Sequence, residues 1–302
     1  MSRTPVIEIK QLRKFYKGKH RGIDGVDLEV CQGELFGFLG PNGAGKTTTI
    51  RILLDLIRAD SGSARVFGLD IHNDSREIRA RTGYLPGELG LYDSAVARDM
   101  VDYFAALCGS VDRGIAEELT DRLDIDLSRP IREYSKGNKQ KLGILLAFLF
   151  GPDLVILDEP TSGLDPLKQE YLYDFMAKQS REGKTILMSS HVLSEVERVC
   201  DRVGIIRDGK IVAVERIETL KAKMGQVVTV DFNEEFNADD FRLAGVSKMQ
   251  VSGRTLSLHV TGNHDAILKA LSRYKIREFL AEKYSLDTLF LEYYQKSDEN
   301  DK

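Results

Sequence analysis

The stretch E34-L-F-G-F-L39 runs directly into G40-P-N-G-A-G-K46-T47-T-T49, and its reading decides the fold. The first half is a short apolar run that follows a C31-Q-G turn signal, which predicts a buried strand. The second half fits G-x-x-x-x-G-K-[ST] without a mismatch, and Ile50, Leu53, Leu54 and Ile57 then recur at helical spacing as far as A59-D-S-G. Strand, glycine loop and helix in that order make a phosphate cradle. Gly40, Gly43 and Gly45, with Pro41, Asn42 and Ala44 between them, let backbone N–H groups converge on phosphate oxygens. Lys46 adds a mobile positive charge for the β- and γ-phosphates, Thr47 offers a hydroxyl to Mg²⁺, and Thr48 follows in the first helical turn.

Such a cradle needs a carboxylate strand to complete its metal site. L154-V-I-L-D158-E159 supplies four apolar residues ending in Asp158, which would hold Mg²⁺ through water. Glu159, one residue on, is placed to take a proton from an attacking water, a task for a carboxylate within hydrogen-bond reach. T185-I-L-M-S and V203-G-I-I-R are further short, β-branched-rich runs, and a helical segment from Pro166 to Arg181 precedes the first of them. This rhythm belongs to a parallel α/β sheet.

The fold class expected is therefore an α/β P-loop core over residues 1–224, interrupted at about 90–150 by a helical subdomain. V101-D-Y-F-A-A-L and A116-E-E-L-T-D-R-L are the clearer amphipathic pieces of that insert. Beyond residue 225 the pattern changes to V227-V-T-V-D-F, the run from Lys248 to Val260 and R277-E-F-L-A, with helices near Asp265 to Tyr274 and Ser285 to Tyr294. Residues 225–302 are expected to form a small α+β accessory domain.

Composition narrows the function classes. The 302 residues are 42% hydrophobic and 30% charged, with a net charge of −4, which speaks against a nucleic-acid coat. The three cysteines include no C-x-x-C pair, so neither a disulfide framework nor a zinc site is indicated. The apolar run from Leu142 to Phe150 is too short to span a bilayer, so the chain is expected to be soluble or held at a membrane by another protein.

Glycine loops serve many nucleoside triphosphatases, and the discriminating segment is Y134-S-K-G-N-K-Q-K-L. It resembles the LSGGQ signature of the ABC ATPases. S162-G-L-D165 resembles their D-loop, with Asp165 at its end, and S189-S-H191 resembles the segment that carries their switch histidine. The resemblance covers about residues 6 to 224 and implies ATP and Mg²⁺ as ligands. It places Tyr16, in L12-R-K-F-Y, on the adenine ring, and gives His191 a role beside Glu159 at the γ-phosphate. It assigns Ser135, Lys136, Gly137 and Asn138 to the ATP of an opposite subunit. Tyr134, Lys136 and Asn138 depart from the consensus Leu, Gly and Gln, whereas Ser135 and Gly137 are retained. In G83-Y-L-P-G-E, Gly87 stands where the family carries its Q-loop glutamine and Glu88 follows, so these two are the expected coupling loop.

The signature form, the G-Y-L-P-G-E loop and the closing S285-L-D-T-L-F-L-E-Y-Y are similar to ATP-binding subunits of bacterial exporters of the drug, bacitracin and sodium efflux type. The resemblance implies an ATPase that powers export of a small molecule, peptide, lipid or ion. Its partners would be a membrane-spanning permease and a second nucleotide-binding subunit, expected to be another copy of the chain, with no nucleic acid. It would sit at the cytoplasmic face of the cell membrane, held there by the permease. A helix beginning near Lys139 would offer its positive end to the neighbour's nucleotide. The alternative weighed is a soluble ABC ATPase acting on nucleic acid or ribosomes; the tandem domains, coiled-coil insertions and zinc-binding cysteines of that group are not in this sequence. A GTP switch is disfavoured because N138-K-Q-K lacks the Asp of a guanine reader.

Overall fold

The computed structural model describes residues 4–16, 21–223, 225–261 and 264–283. Packing divides the chain between Arg216 and Ile217, and each unit has its own core. The first unit is built on a six-stranded sheet in the order Lys210–Arg216, Arg202–Arg207, Leu35–Leu39, Thr185–Ser190, Leu154–Asp158, Thr82–Leu85. The last five of these run parallel, with Leu35 opposite Ile186 and Leu154 opposite Thr185; only Lys210–Arg216 is antiparallel. Leu35–Leu39, Leu154–Asp158 and Thr185–Ser190 are buried at every residue, so both sheet faces are covered. That is why these strands read as uninterrupted apolar runs rather than alternating ones.

Three neighbouring parallel strands thus deliver their carboxyl ends to one edge: the glycine loop after Leu39, the acidic pair at Asp158, and Ser189–His191 between them. A second, antiparallel sheet of Arg21–Cys31, Pro5–Phe15, Ser61–Val66 and Leu69–Asp70 packs its apolar side, including Ile7, Ile9, Val26 and Val30, into the same core. The helix after the glycine loop, Lys46–Leu53, is shorter than the spacing out to Ile57 suggests; the chain leaves it through Asp55 at a positive φ of 56°.

Helices Ala97–Cys108, Arg113–Arg122 and Lys136–Phe148 make up most of the helical insert. The strand Thr82–Leu85 has no counterpart in the sequence reading, because four residues with a central glycine carry no periodicity. Its partner Leu154–Asp158, about seventy residues downstream, supplies the ladder. Gly83 sets how closely this strand meets the insert, since a Cβ there would lie 1.9 Å from the Ala147 carbonyl oxygen of helix Lys136–Phe148.

The second unit is a four-stranded antiparallel sheet, ordered Val246–Ser252, Thr255–Val260, Gln226–Phe232, Ile276–Lys283, together with helices Ile217–Lys223 and His264–Leu271. The run from Lys248 to Val260 is a hairpin that turns at Gly253 with φ 59°. Phe232 and Phe236 stack at 4.3 Å, and Phe241 and Tyr274 close the cluster. The helix expected from Ser285 to Tyr294 lies outside the described residues.

Gly83→Ala is expected to destabilise the first unit by about 1–3 kcal/mol, because backbone rather than a movable side chain blocks the new methyl. Denaturant unfolding checks this, and an unchanged midpoint contradicts the close approach.

Candidate functional site

Two of the three glycines in the cradle are imposed by neighbours. A Cβ at Gly40 would lie 2.3 Å from the Ile206 carbonyl oxygen, and one at Gly45, φ 111°, would lie 2.7 Å from that of Gly22. Gly43 is different: it has φ 82° and nothing within 4 Å of its Cβ position, so its demand is conformational and its outer side is open. Lys46 opens helix Lys46–Leu53 and is buried. Its Nζ donates to the carbonyls of Gly40 at 2.6 Å and Pro41 at 3.1 Å and lies 3.9 Å from Glu159 Oε1. Burial pushes the ammonium pKa down, opposed by the carboxylates of Glu159 and Asp158. A hollow of about 330 Å³ opens above the loop, lined among others by Tyr16, Gly22, Asn42, Thr48 and Glu159. The Tyr16 ring is exposed and lies along Gly22, where a Cβ would come within 2.9 Å of Cε2.

Asp158 is 1% exposed and its two carboxylate oxygens are shared out. Oδ2 accepts from Thr47 Oγ1 at 2.8 Å, and Oδ1 accepts from Ser189 Oγ at 2.5 Å. A hydroxyl and a carboxylate oxygen at this spacing are hard donors that fit Mg²⁺, an ion that keeps several of its waters and needs few protein ligands. Glu159 follows at a positive φ of 52°, with its N–H donating to Ser189 Oγ at 3.1 Å and to Ser189 O at 3.3 Å. His191 Nδ1 lies 3.2 Å from Glu159 Oε1. The structure therefore brings Lys46, Thr47, Asp158, Glu159 and His191 into one cluster. Gly87 adjoins it, since its Cβ position is 3.3 Å from Asp158 Oδ2, and Glu88 beside it is exposed.

The segment from Ser135 to Asn138 is a separate feature. Ser135 is the N-cap of helix Lys136–Phe148 and its Oγ accepts from the Asn138 N–H at 3.2 Å. The helix thus begins three residues earlier than expected from Lys139, because the serine cap satisfies its first turn. Gly137 packs on the next loop so closely that a Cβ would meet the Gly163 carbonyl oxygen at 2.4 Å. Asp165 ends that loop and caps helix Pro166–Arg181 by accepting from the Lys168 N–H at 3.0 Å. Lys136 is exposed at the start of its helix.

Three contributors escaped the sequence reading. Ser189 holds Asp158, Gln140 donates to the Glu159 and Pro160 carbonyls, and Glu195 accepts from both Thr161 and Ser190. Ser189 stands in the quoted S-S-H, but a serine within an apolar strand gives no hint of its partner.

Fold and cradle together define a P-loop nucleoside triphosphatase. A family model described as ABC transporter matches residues 23–162. An uncharacterised ABC transporter ATP-binding protein of Methanocaldococcus jannaschii is 38% identical over 75% of this chain and 84% of its own length. The bacitracin transport ATP-binding protein BcrA of Bacillus licheniformis is 35% identical over 78% of each chain. Among solved structures, an ATP-binding subunit of an ABC transporter is 30% identical with a TM-score of 0.66, covering 72% of this chain and 92% of that one. A dimeric bacterial ABC transporter cassette shares the fold at 23% identity and a TM-score of 0.62, covering 70% and 98%. The chain belongs to the family of ABC transporter ATP-binding proteins. It is an ATPase subunit.

Lys46→Ala is expected to weaken ATP binding by roughly tenfold or more, the scale of a lost charge-assisted contact, and to abolish turnover. Nucleotide titration checks it; unchanged affinity would remove Lys46 from the phosphate contact.

Proposed function

We propose that two copies of this chain close on ATP as a clamp and thereby power export through a separate permease. The observation that carries the reading is the separation of the two phosphate-seeking features. None of residues 135–138 lines the hollow over the glycine loop, and the capped, basic start of helix Lys136–Phe148 is left facing a ligand that its own loop does not hold. A two-fold dimer supplies that ligand from the neighbour, with nucleotide as part of the interface. The dimeric cassette among the structural relatives supports the arrangement, and a Nod factor export ATP-binding protein of Paraburkholderia xenovorans, 32% identical over 94% of this chain and 95% of its own length, supports export.

In this mechanism Lys46 exchanges the carbonyls of Gly40 and Pro41 for the β- and γ-phosphates, and Tyr16 stacks on adenine. Asn42, Gly43, Ala44, Gly45 and Thr48 line the phosphates. Thr47 and Asp158 would hold Mg²⁺, which supplies charge neutralisation on the phosphates. Glu159 takes the proton from the attacking water, and His191 orients the Glu159 carboxylate. Ser135, Lys136, Gly137 and Asn138 meet the neighbour's ATP, with Asp165 at the same seam. Hydrolysis removes the shared ligand and the clamp opens. The unit that begins at Ile217, a few residues before the boundary near 224 that the chain's change of pattern suggested, is accessory to this engine.

The permease site we assign is an apolar groove of about 710 Å³ between the sheet and the helical insert, lined by Tyr84, Leu89, Leu91, Phe104, Leu107 and Leu146. It reaches Pro86, the residue before Gly87, so a helical segment of the permease seated there presses on the loop whose Gly87 Cβ position is 3.3 Å from Asp158 Oδ2. This would hold the chain at the cytoplasmic face of the membrane. No described helix is long and apolar enough to cross a bilayer itself.

Glu159→Gln is expected to keep ATP affinity, slow hydrolysis roughly 10²–10⁴-fold and accumulate a closed dimer. Adding Ser135→Arg to the same chain should abolish that dimer while each monomer still binds ATP. Sizing with ATP decides: a double variant that dimerises as readily as its parent rejects the clamp. For the groove, Leu107→Glu is expected to cut recovery of the chain with its permease at least tenfold and leave ATP binding intact, and undiminished copurification would rule the groove out as the docking site.

A further inference from the structure

Gln140 lies one turn into the helix that starts at Ser135, and it is 4% exposed. Its Nε2 donates one hydrogen to the Glu159 carbonyl at 3.1 Å and the other to the Pro160 carbonyl at 3.0 Å. The N–H of Glu159 is pinned as well, by Ser189 on the next strand. Both peptide groups flanking the Glu159 Cα are therefore held by outside partners, at a residue whose φ of 52° a non-glycine backbone adopts only under constraint. One residue further, Thr161 Oγ1 donates to Glu195 Oε1 at 2.6 Å, and Ser190 Oγ donates to Glu195 Oε2 at 2.5 Å. The segment after Asp158 is thus braced between Ser189 and Glu195 on one side and helix Lys136–Phe148 on the other.

We propose that Gln140 is a positioning residue that couples the two ATP sites of the dimer. The proposal rests on the clamp reading, in which the Ser135 end of the helix meets the neighbour's nucleotide. Its other contact, through Gln140, is to the backbone that aims the base at the chain's own nucleotide. A displacement of this helix on closing over the neighbour's ATP has to move the Glu159 and Pro160 carbonyls with it, because an amide that slides off two carbonyls leaves buried polar groups unpaired. Occupation of one site therefore sets the aim of the base in the other. The Gln140 amide is the physical link between the two sites, and it can be cut.

Mixed dimers test it. Hydrolysis per sound site is compared between a dimer with two sound glycine loops and one in which a single chain carries Lys46→Ala. With Gln140 present the ratio is expected to be about fivefold or more, the usual scale of site-to-site coupling, and Gln140→Met in every chain should bring it to about 1. A residue that only stabilises the fold would lower the unfolding temperature and leave the ratio alone. Should Gln140→Met fail to fold, amide exchange keeps the question open to refutation. In the mixed dimer with Gln140 intact, the empty Lys46→Ala chain should show slowed exchange at Thr161–Leu164 when ATP fills its partner. A ratio near 1 with Gln140 present, a ratio unmoved by Gln140→Met, or no slowing overturns the proposal. Sizing of the Glu159→Gln dimer in parallel separates the failures: no ATP-driven dimer defeats the clamp itself, whereas a dimer with an unmoved ratio defeats only the coupling.

Discussion

Asp158 is a carboxylate removed almost completely from water, and the arrangement around it follows from that cost. A buried charge persists only when it is hydrogen-bonded, and here the two oxygens are met by Thr47 from the glycine-loop helix and Ser189 from the neighbouring strand. Those two hydroxyls tie together the three strand ends that make the site. Parallel pairing of Leu35–Leu39, Thr185–Ser190 and Leu154–Asp158 brings them to one edge, and the shared carboxylate fixes their relative height. Lys46, 3.9 Å from Glu159, adds the opposite charge that an otherwise acidic pocket requires.

Close backbone approach is the second recurring device. Gly40, Gly45, Gly83 and Gly137 each sit where a Cβ would strike a carbonyl oxygen of another segment, at 2.3, 2.7, 1.9 and 2.4 Å. At Gly40 and Gly45 the approach shapes the cradle. At Gly83 it seats the helical insert on the sheet, and at Gly137 it locks the capped helix start against the loop that ends in Asp165. Gly137 makes the close approach, and the Lys136 side chain, its Cγ 3.7 Å from the Cβ position of Gly163, lies against the same loop.

Gly87 departs from the family's glutamine. A Cβ there would lie 3.3 Å from Asp158 Oδ2, so the glycine leaves that side of the carboxylate without a side chain. The apolar groove reaches Pro86, the residue before Gly87, so it ends one residue from the loop position that adjoins the Asp158 carboxylate.

Much of this protein was legible in its sequence, for local reasons. The strand, glycine loop and helix order, the acidic pair at 158 and 159, and the signature-like run at 134–138 are short segments whose chemistry depends on residue type and spacing within a few positions. The strands with unbroken apolar character betrayed their burial on both faces. What remained hidden depends on partners far away in the chain. Thr82–Leu85 becomes a strand only because Leu154–Asp158 supplies its ladder, and the helix after the glycine loop stops at Leu53 because Asp55 turns the chain. Ser189, Gln140 and Glu195 are ordinary polar residues in sequence. Their roles arise when a sheet and a helix bring them to Asp158, to the Glu159 carbonyl and to Thr161. The sequence by itself determined the glycine loop and the acidic pair, because those patterns are local. The tertiary structure decided how those groups are aimed, because aim is set by hydrogen bonds between segments that only folding brings together.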